Sequence, residues 1–290
     1  MTESNVSHEP VTPERPIEAG WLALREAADA RARDAAAPVL LPPLLERLSG
    51  TARRNGRSRS RDGQGLRVVD LGAGTGANVR WLAPRLPQPE LQHWTLVDHD
   101  PALLARGPVD ATALRADVTD LAQVLTEIGG ADLITAAALL DLLDGVQVAA
   151  VVDAVVDAGL PALFALSVDG GVTLDPEDPD DVPIGEAFDA HQRRDDRLGP
   201  GATRFTADLF RRRGWRVLEV STPWRLDPQA GDALLVSSWL EGRAEAAVEE
   251  RPGLEADAQA WLARRRAMLA DGLPRAVVGH MDLLALPNLR

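Results

Sequence analysis

The sequence predicts an α/β fold: a doubly wound, mostly parallel seven-stranded sheet with helices on both faces, an N-terminal helical cap and an insertion after the fifth strand. Three observations predict it. From residue 66 onward, short apolar runs alternate with stretches of helical periodicity, as a parallel sheet with crossover helices requires. The first run passes through Asp70 into the glycine-rich stretch Gly72-Ala73-Gly74-Thr75-Gly76 and then into an amphipathic segment. Finally, 290 residues that are 45% hydrophobic and 26% charged can bury the core of one large domain, which rules out global disorder.

Taken in order, residues 1–16 carry Pro10, Pro13 and Pro16 without apolar periodicity and read as a loose arm. A helical cap is expected over 17–50. Ile17, Trp21, Leu22, Leu24, Ala28 and Ala32 recur at helical spacing, with Arg25, Arg31 and Arg33 on other faces. A second short helix follows Pro38 and stops at Gly50. Residues 51–65 hold five arginines among Gly, Ser and Asn and read as a mobile basic loop, a solvated linker or a point of anion capture. The main domain, 66–290, then gives strands at 66–71, 93–97, 112–115, 132–136, 162–168 and 216–220, and a last strand at 277–286. Helices are expected at 77–86, after Pro101, and at 121–128, 146–158, 207–213, 230–250 and 255–270. A lid at 169–200 and a helical insertion at 230–272 interrupt the domain.

Composition also narrows the chemistry. Without cysteine there is no disulfide framework, thiolate metal site or thiol nucleophile. A net charge of −13 opposes binding to a phosphate backbone, so no nucleic-acid partner is expected. No apolar run reaches the roughly 20 residues that span a bilayer, and the acidic start lacks signal-peptide character, so the expectation is a cytoplasmic protein with no membrane partner, monomer or homodimer. The histidines show no metal-ligand spacing, so no metal is expected.

The informative stretch is the strand ending in Asp70, the turn Gly72-x-Gly74-x-Gly76 and the helix carrying Val79, Trp81 and Leu82. Glycines let the backbone turn tightly and let a ligand lie on main-chain N–H groups. The second strand ends in Asp98, where ribose hydroxyls lie in nucleotide sites, and the third leads to Asp117, which can accept from an adenine amine. Each acid has a plainer alternative as a helix or turn cap.

On these residues the sequence resembles the class I S-adenosylmethionine-dependent methyltransferases over roughly residues 66–168. The resemblance implies that the turn Gly72, Ala73, Gly74 and Gly76 cradles the homocysteine part of S-adenosylmethionine with Asp70 assisting. It implies further that Asp98 with His99 binds the ribose, that Asp117 and Val118 frame the adenine, and that Ala136 ends the fourth strand, which faces the reactive methyl. S-adenosylhomocysteine is then the product. Family members also finish on a strand hairpin that reverses the seventh strand; here a long helical stretch separates 216–220 from 277–286, a departure from the pattern.

The acceptor side is expected beyond the shared core, for a small and possibly planar molecule methylated on oxygen or nitrogen. His191, with Arg193 and Arg194 in the lid, is nominated to act on the acceptor, with surface pairing as the alternative. Asp141 is a second candidate base, with helix capping as its alternative. Trp21 and Trp224 are candidate stacking residues, although a tryptophan also serves as core. His280 in an apolar strand reads as core. Two other functions share these features. A nicotinamide-dependent oxidoreductase would use Asp98 but a G-x-G-x-x-G turn and often a tyrosine, of which this chain has none. A non-catalytic module would bind S-adenosylmethionine without turnover.

Overall fold

The computed structural model describes residues 18–54 and 65–288. The expected arm at 1–16 and most of the basic loop lie outside the described residues. In chain order the elements are α1 (Ala19–Arg54), β1 (Leu66–Leu71), α2 (Ala77–Leu82), β2 (Gln92–Asp98), α3 (Pro101–Leu104), β3 (Thr112–Arg115), α4 (Leu121–Glu127), β4 (Leu133–Ala137), α5 (Gly145–Ala158), β5 (Ala162–Asp175), α6 (Asp181–His191), α7 (Ala202–Arg212), β6 (Arg216–Ser221), β7 (Trp224–Leu226), α8 (Ala233–Glu250), α9 (Glu255–Leu269) and β8 (Arg275–Leu286).

The two helices expected before residue 50 are one helix of 36 residues that runs through Pro38, Pro42 and Pro43. Each proline removes an N–H and crowds the preceding turn. Packing offsets that cost: Ala28, Ala32, Ala36, Leu40, Leu44 and Leu48 form one buried stripe with a residue every fourth position. Arg33, expected on a solvated face, is only 2% exposed. By contrast α5 behaves as its sequence suggests. Asp144 and Gln147 form a capping box, Val148, Val151, Val152 and Val155 are buried, and Gly159 ends the helix in the left-handed region.

The strands form one sheet of order β3-β2-β1-β4-β5-β8-β6, with β7 paired to β8. Strands β1 to β5 pair in parallel, and β8 runs antiparallel to β5, β6 and β7. The long helical stretch between β6 and β8 therefore does not prevent their pairing, which runs from Arg216 opposite Leu286 to Ser221 opposite Met281. Side-chain alternation assigns the faces. Val69 and Leu71 of β1 pack with α4, α5 and α7, whereas Leu66 and Val68 pack with α1 and α2.

Strands β5 and β8 run past the edge of the sheet, to Asp175 and from Arg275. On this extension α6, α8, α9 and β7 assemble a third core around Trp224, Trp239 and Trp261. The expected lid is thus strand plus α6, and the helical insertion is α8 with α9. Among the described residues no helix is long and apolar enough to cross a membrane, and no His, Asp and Glu cluster is arranged to hold a metal ion.

Candidate active site at the switch point of the sheet

Strands β2 and β3 lie to one side of β1, and β4 and β5 to the other. Their loops diverge at the carboxyl ends of β1 and β4 and leave a crevice where ligands of such sheets bind. The glycine turn stands there. Gly72, Gly74 and Gly76 have φ of 58°, 52° and 75°, a region costly for side chains. Asp98 ties this turn to the tip of β2: its Oδ2 accepts from the Gly74 N–H (2.8 Å) and its Oδ1 from the Asp100 N–H (2.9 Å). The turn is also packed from outside. A Cβ on Gly74 would come within 3.1 Å of Leu22, and one on Gly72 within 2.8 Å of Leu139.

Beneath the turn a buried polar chain links α1 to β4. Arg33 Nη1 donates to Asn78 Oδ1 (2.8 Å), and Asn78 Nδ2 donates to Asp70 Oδ1 (2.6 Å) and Thr135 Oγ1 (3.0 Å). The Thr135 hydroxyl in turn donates to the Leu163 carbonyl (2.9 Å). Since Arg33 only donates, the orientation of the Asn78 amide is fixed. Asp70 Oδ2 has no partner. Burial pushes the Asp70 carboxyl up to about 7; Asn78 and Arg33 oppose the shift, and Asp98 adds to it.

A second group of buried polar atoms lies just past the end of β4 and at a bend within β5. Burial raises Asp141 to about 6, against the lowering effect of its own and the Val168 backbone N–H and of nearby Arg25. Asp141 Oδ1 and Ser167 Oγ are buried without partners. The helix cap here is Asp144, not Asp141. Ala138 and Leu166 hold φ of 53° and 58°, left-handed values that cost non-glycine residues about 1 kcal/mol or more each. Asp282 of β8 holds this bend, its Oδ1 accepting from the Leu166 N–H and the Thr222 hydroxyl (both 2.8 Å).

Other expected residues fall into two sets. Trp21 and Trp224 come together, ring centroids 6.4 Å apart. Trp224 donates to Asp29 (2.9 Å) and packs between the Arg25 guanidinium and the His280 ring, which makes it core. His280 is also core, as its sequence suggests: its Nδ1 donates to the Val278 carbonyl (3.0 Å), and burial lowers its pKa to about 4. His99 is exposed, 3.4 Å from Asp98. Ala73 and Ala136 are buried in the sheet core, and Val118 packs half-buried beneath it. Asp117 Oδ1 caps the Thr119 N–H (2.8 Å), the plainer of its two roles.

His191 ends α6, with Arg193 and Arg194 just beyond it. His191 Nε2 pairs with Glu249 (3.1 Å) and Arg194 with Glu250 (2.6 Å) on α8, while Arg193 donates to the Asp189 carbonyl (3.2 Å). Such pairing is the alternative that the sequence leaves open for these residues. Sequence reasoning missed Arg33, Asn78, Thr135 and Asp282. The available signal was a polar residue at a position that helical or strand alternation assigns to the core.

No protein-family model matches the chain, and no curated protein sequence matches it. Solved structures do. Phosphoethanolamine N-methyltransferase 2 of Haemonchus contortus, in complex with phosphomonomethylethanolamine and S-adenosylhomocysteine, is 11% identical with a TM-score of 0.41; the match covers 78% of this chain and 49% of that one. The chain thus spans about half the length of that enzyme. The YcgJ protein of Bacillus subtilis is 12% identical with a TM-score of 0.42, covering 84% and 99%. The cyclopropane synthase MmaA2 of Mycobacterium tuberculosis is 13% identical with a TM-score of 0.40, covering 76% and 78%. By its strand order, the one strand that runs against the rest and the glycine turn at the switch point, this chain has the fold of the class I methyltransferases that its sequence resembles.

Proposed function

We propose that the chain transfers a methyl group from S-adenosylmethionine to an oxygen or nitrogen of a small-molecule acceptor. The observation that carries this reading is the left-handed glycine turn at the switch point, flanked by Asp98 and by a buried Asp70 whose Oδ2 has no partner. That free oxygen suits the cationic amino group of the donor. Both Asp98 oxygens already accept one N–H, so ribose hydroxyls take their remaining lone pairs. A donor laid on the turn displaces the ends of Leu22 and Leu139. Asp117 and Val118 stand at the adenine end.

The donor brings a methyl group already activated on a sulfonium, so the protein chiefly orients the reactants and excludes water. Asp141 supplies the proton chemistry. Held at about 6, it is mostly ionised at neutral pH and retains a free Oδ1 to take a proton from the acceptor. The net charge of −13 favours a small molecule over nucleic acid.

Calorimetry of the purified chain with S-adenosylmethionine, S-adenosylhomocysteine and NADH tests the donor assignment, and methyl transfer into metabolite fractions tests turnover. Binding of the two adenosyl ligands but not NADH is expected. NADH binding alone would replace this reading with an oxidoreductase, and donor binding without transfer would leave a sensor.

A further inference from the structure

Between α1 and α2 lies a cavity of about 260 Å³, bordered by Arg33, Asn78, Trp81 and Leu166 and by two acids, Glu26 and Asp29, that are paired with Arg80 and Arg25. None of Gly72, Gly74, Gly76, Asp98 and Asp117 lines it. Its one fully buried charge is Arg33. Nη1 is spent on Asn78, but Nε and Nη2, the two N–H groups that share one edge of the guanidinium, are buried without a partner. The group stacks against the Trp81 ring, 3.8 Å from its centroid, which fixes the direction of that edge. Asp282, Asp70 and Asp29 lie near enough to favour the cation, yet none hydrogen-bonds to the free edge.

A buried donor left unpaired is costly, and two parallel N–H groups match the two oxygens of a carboxylate. We infer that this cavity is a carboxylate-binding site anchored by the Nε/Nη2 edge of Arg33. Of the rest of its wall, Ala30, Ala77, Ala137 and Leu166 take an apolar body, and Glu26, Asp29, Arg80 and Arg85 are charged. Two sources present this chemistry. Ala77 and Asn78 directly follow the glycine turn, so the amino-acid end of the donor reaches the cavity; Ala137 ends β4 and Leu166 stands at the bend within β5, so an acceptor bearing a carboxylate does too. The first source alone rests on the donor reading above.

Calorimetry on the full chain separates them. In the wild type, S-adenosylhomocysteine is compared with 5′-methylthioadenosine, which lacks the amino-acid end, and benzoate with benzyl alcohol. Each pair is repeated in Arg33→Lys, which keeps the charge and loses the planar fork. A carboxylate preference in the wild type that drops at least tenfold in the variant is expected, and the pair that shows it names the source. Benzoate binding with no adenosyl ligand bound would keep this site while removing the donor assignment. No preference in either pair, or one that survives in folded Arg33→Lys, overturns the inference. Should the variant not fold, ¹⁵N spectra of the wild-type arginine Nε–H groups decide: a buried Nε–H resonance must move on carboxylate addition and stay put with the neutral analogue.

Discussion

At the scale of single residues, the site is governed by how few waters reach its carboxylates. Asp141 at about 6 is a stronger base than a solvated aspartate and still ionised at pH 7. Asp141→Asn is therefore expected to lower kcat by roughly 10²- to 10⁴-fold, with donor affinity nearly unchanged, and to abolish an acid limb near pH 6 in the rate profile. Unchanged turnover with an unchanged profile would remove Asp141 from the reaction. Asn78 has a different task, since it joins Arg33, Asp70 and Thr135 and touches no solvent-exposed group. Asn78→Ala strands a buried acid and a buried cation at once, and urea unfolding should report a loss of about 2 to 4 kcal/mol. A loss below about 0.5 kcal/mol would mean that water replaces the amide.

At the scale of elements, α1 shows what a sequence reveals and what it hides. The stretch from β1 through α5 was legible because apolar alternation, the glycine turn and the Asp144 cap each act within a few residues. The continuity of α1 was not, because three prolines argue locally for a break, and the compensating stripe acts only through tertiary contact, with β1, α2 and the distant β8. For the same reason β7 and the outer half of β5 escaped notice: three residues, Trp224 to Leu226, become a strand only once β8 lies beside them. Asp70 and Asp98 could be placed from the turn, whereas Arg33 could not, since its burial depends on Trp81 and Asn78 facing it. If the stripe holds α1 together, Leu44→Ala at a fully buried position should cost about 2 to 5 kcal/mol in chemical denaturation. A cost near zero would show that this part of α1 packs loosely.

At the scale of the whole molecule, the buried titrating groups pull stability in opposite directions with pH. Asp70 and Asp141, raised to about 7 and about 6, keep protons in the folded state that the unfolded chain releases near pH 4, so they lose stability as pH rises through that window. His280, lowered to about 4, stays neutral where the unfolded chain takes up a proton, so it gains stability over pH 4 to 6.5. Two groups outweigh one, and from pH 5 to pH 8 the net loss is on the order of 2 kcal/mol. Self-repulsion from the net charge of −13 adds to it. Below pH 4 the sign turns. Asp178, held near 2 by its paired bonds to Arg264, gives a contribution that is present above about pH 4 and lost as pH falls through 2. Tm should therefore peak near pH 4 and fall by several degrees toward pH 8 in scanning calorimetry. Salt divides the causes, because 0.5 M NaCl screens surface repulsion while leaving buried groups largely untouched. The decline must persist in salt; a Tm that instead rises steadily from pH 5 to pH 8 would mean that Asp70 and Asp141 meet water or a cation in the folded protein.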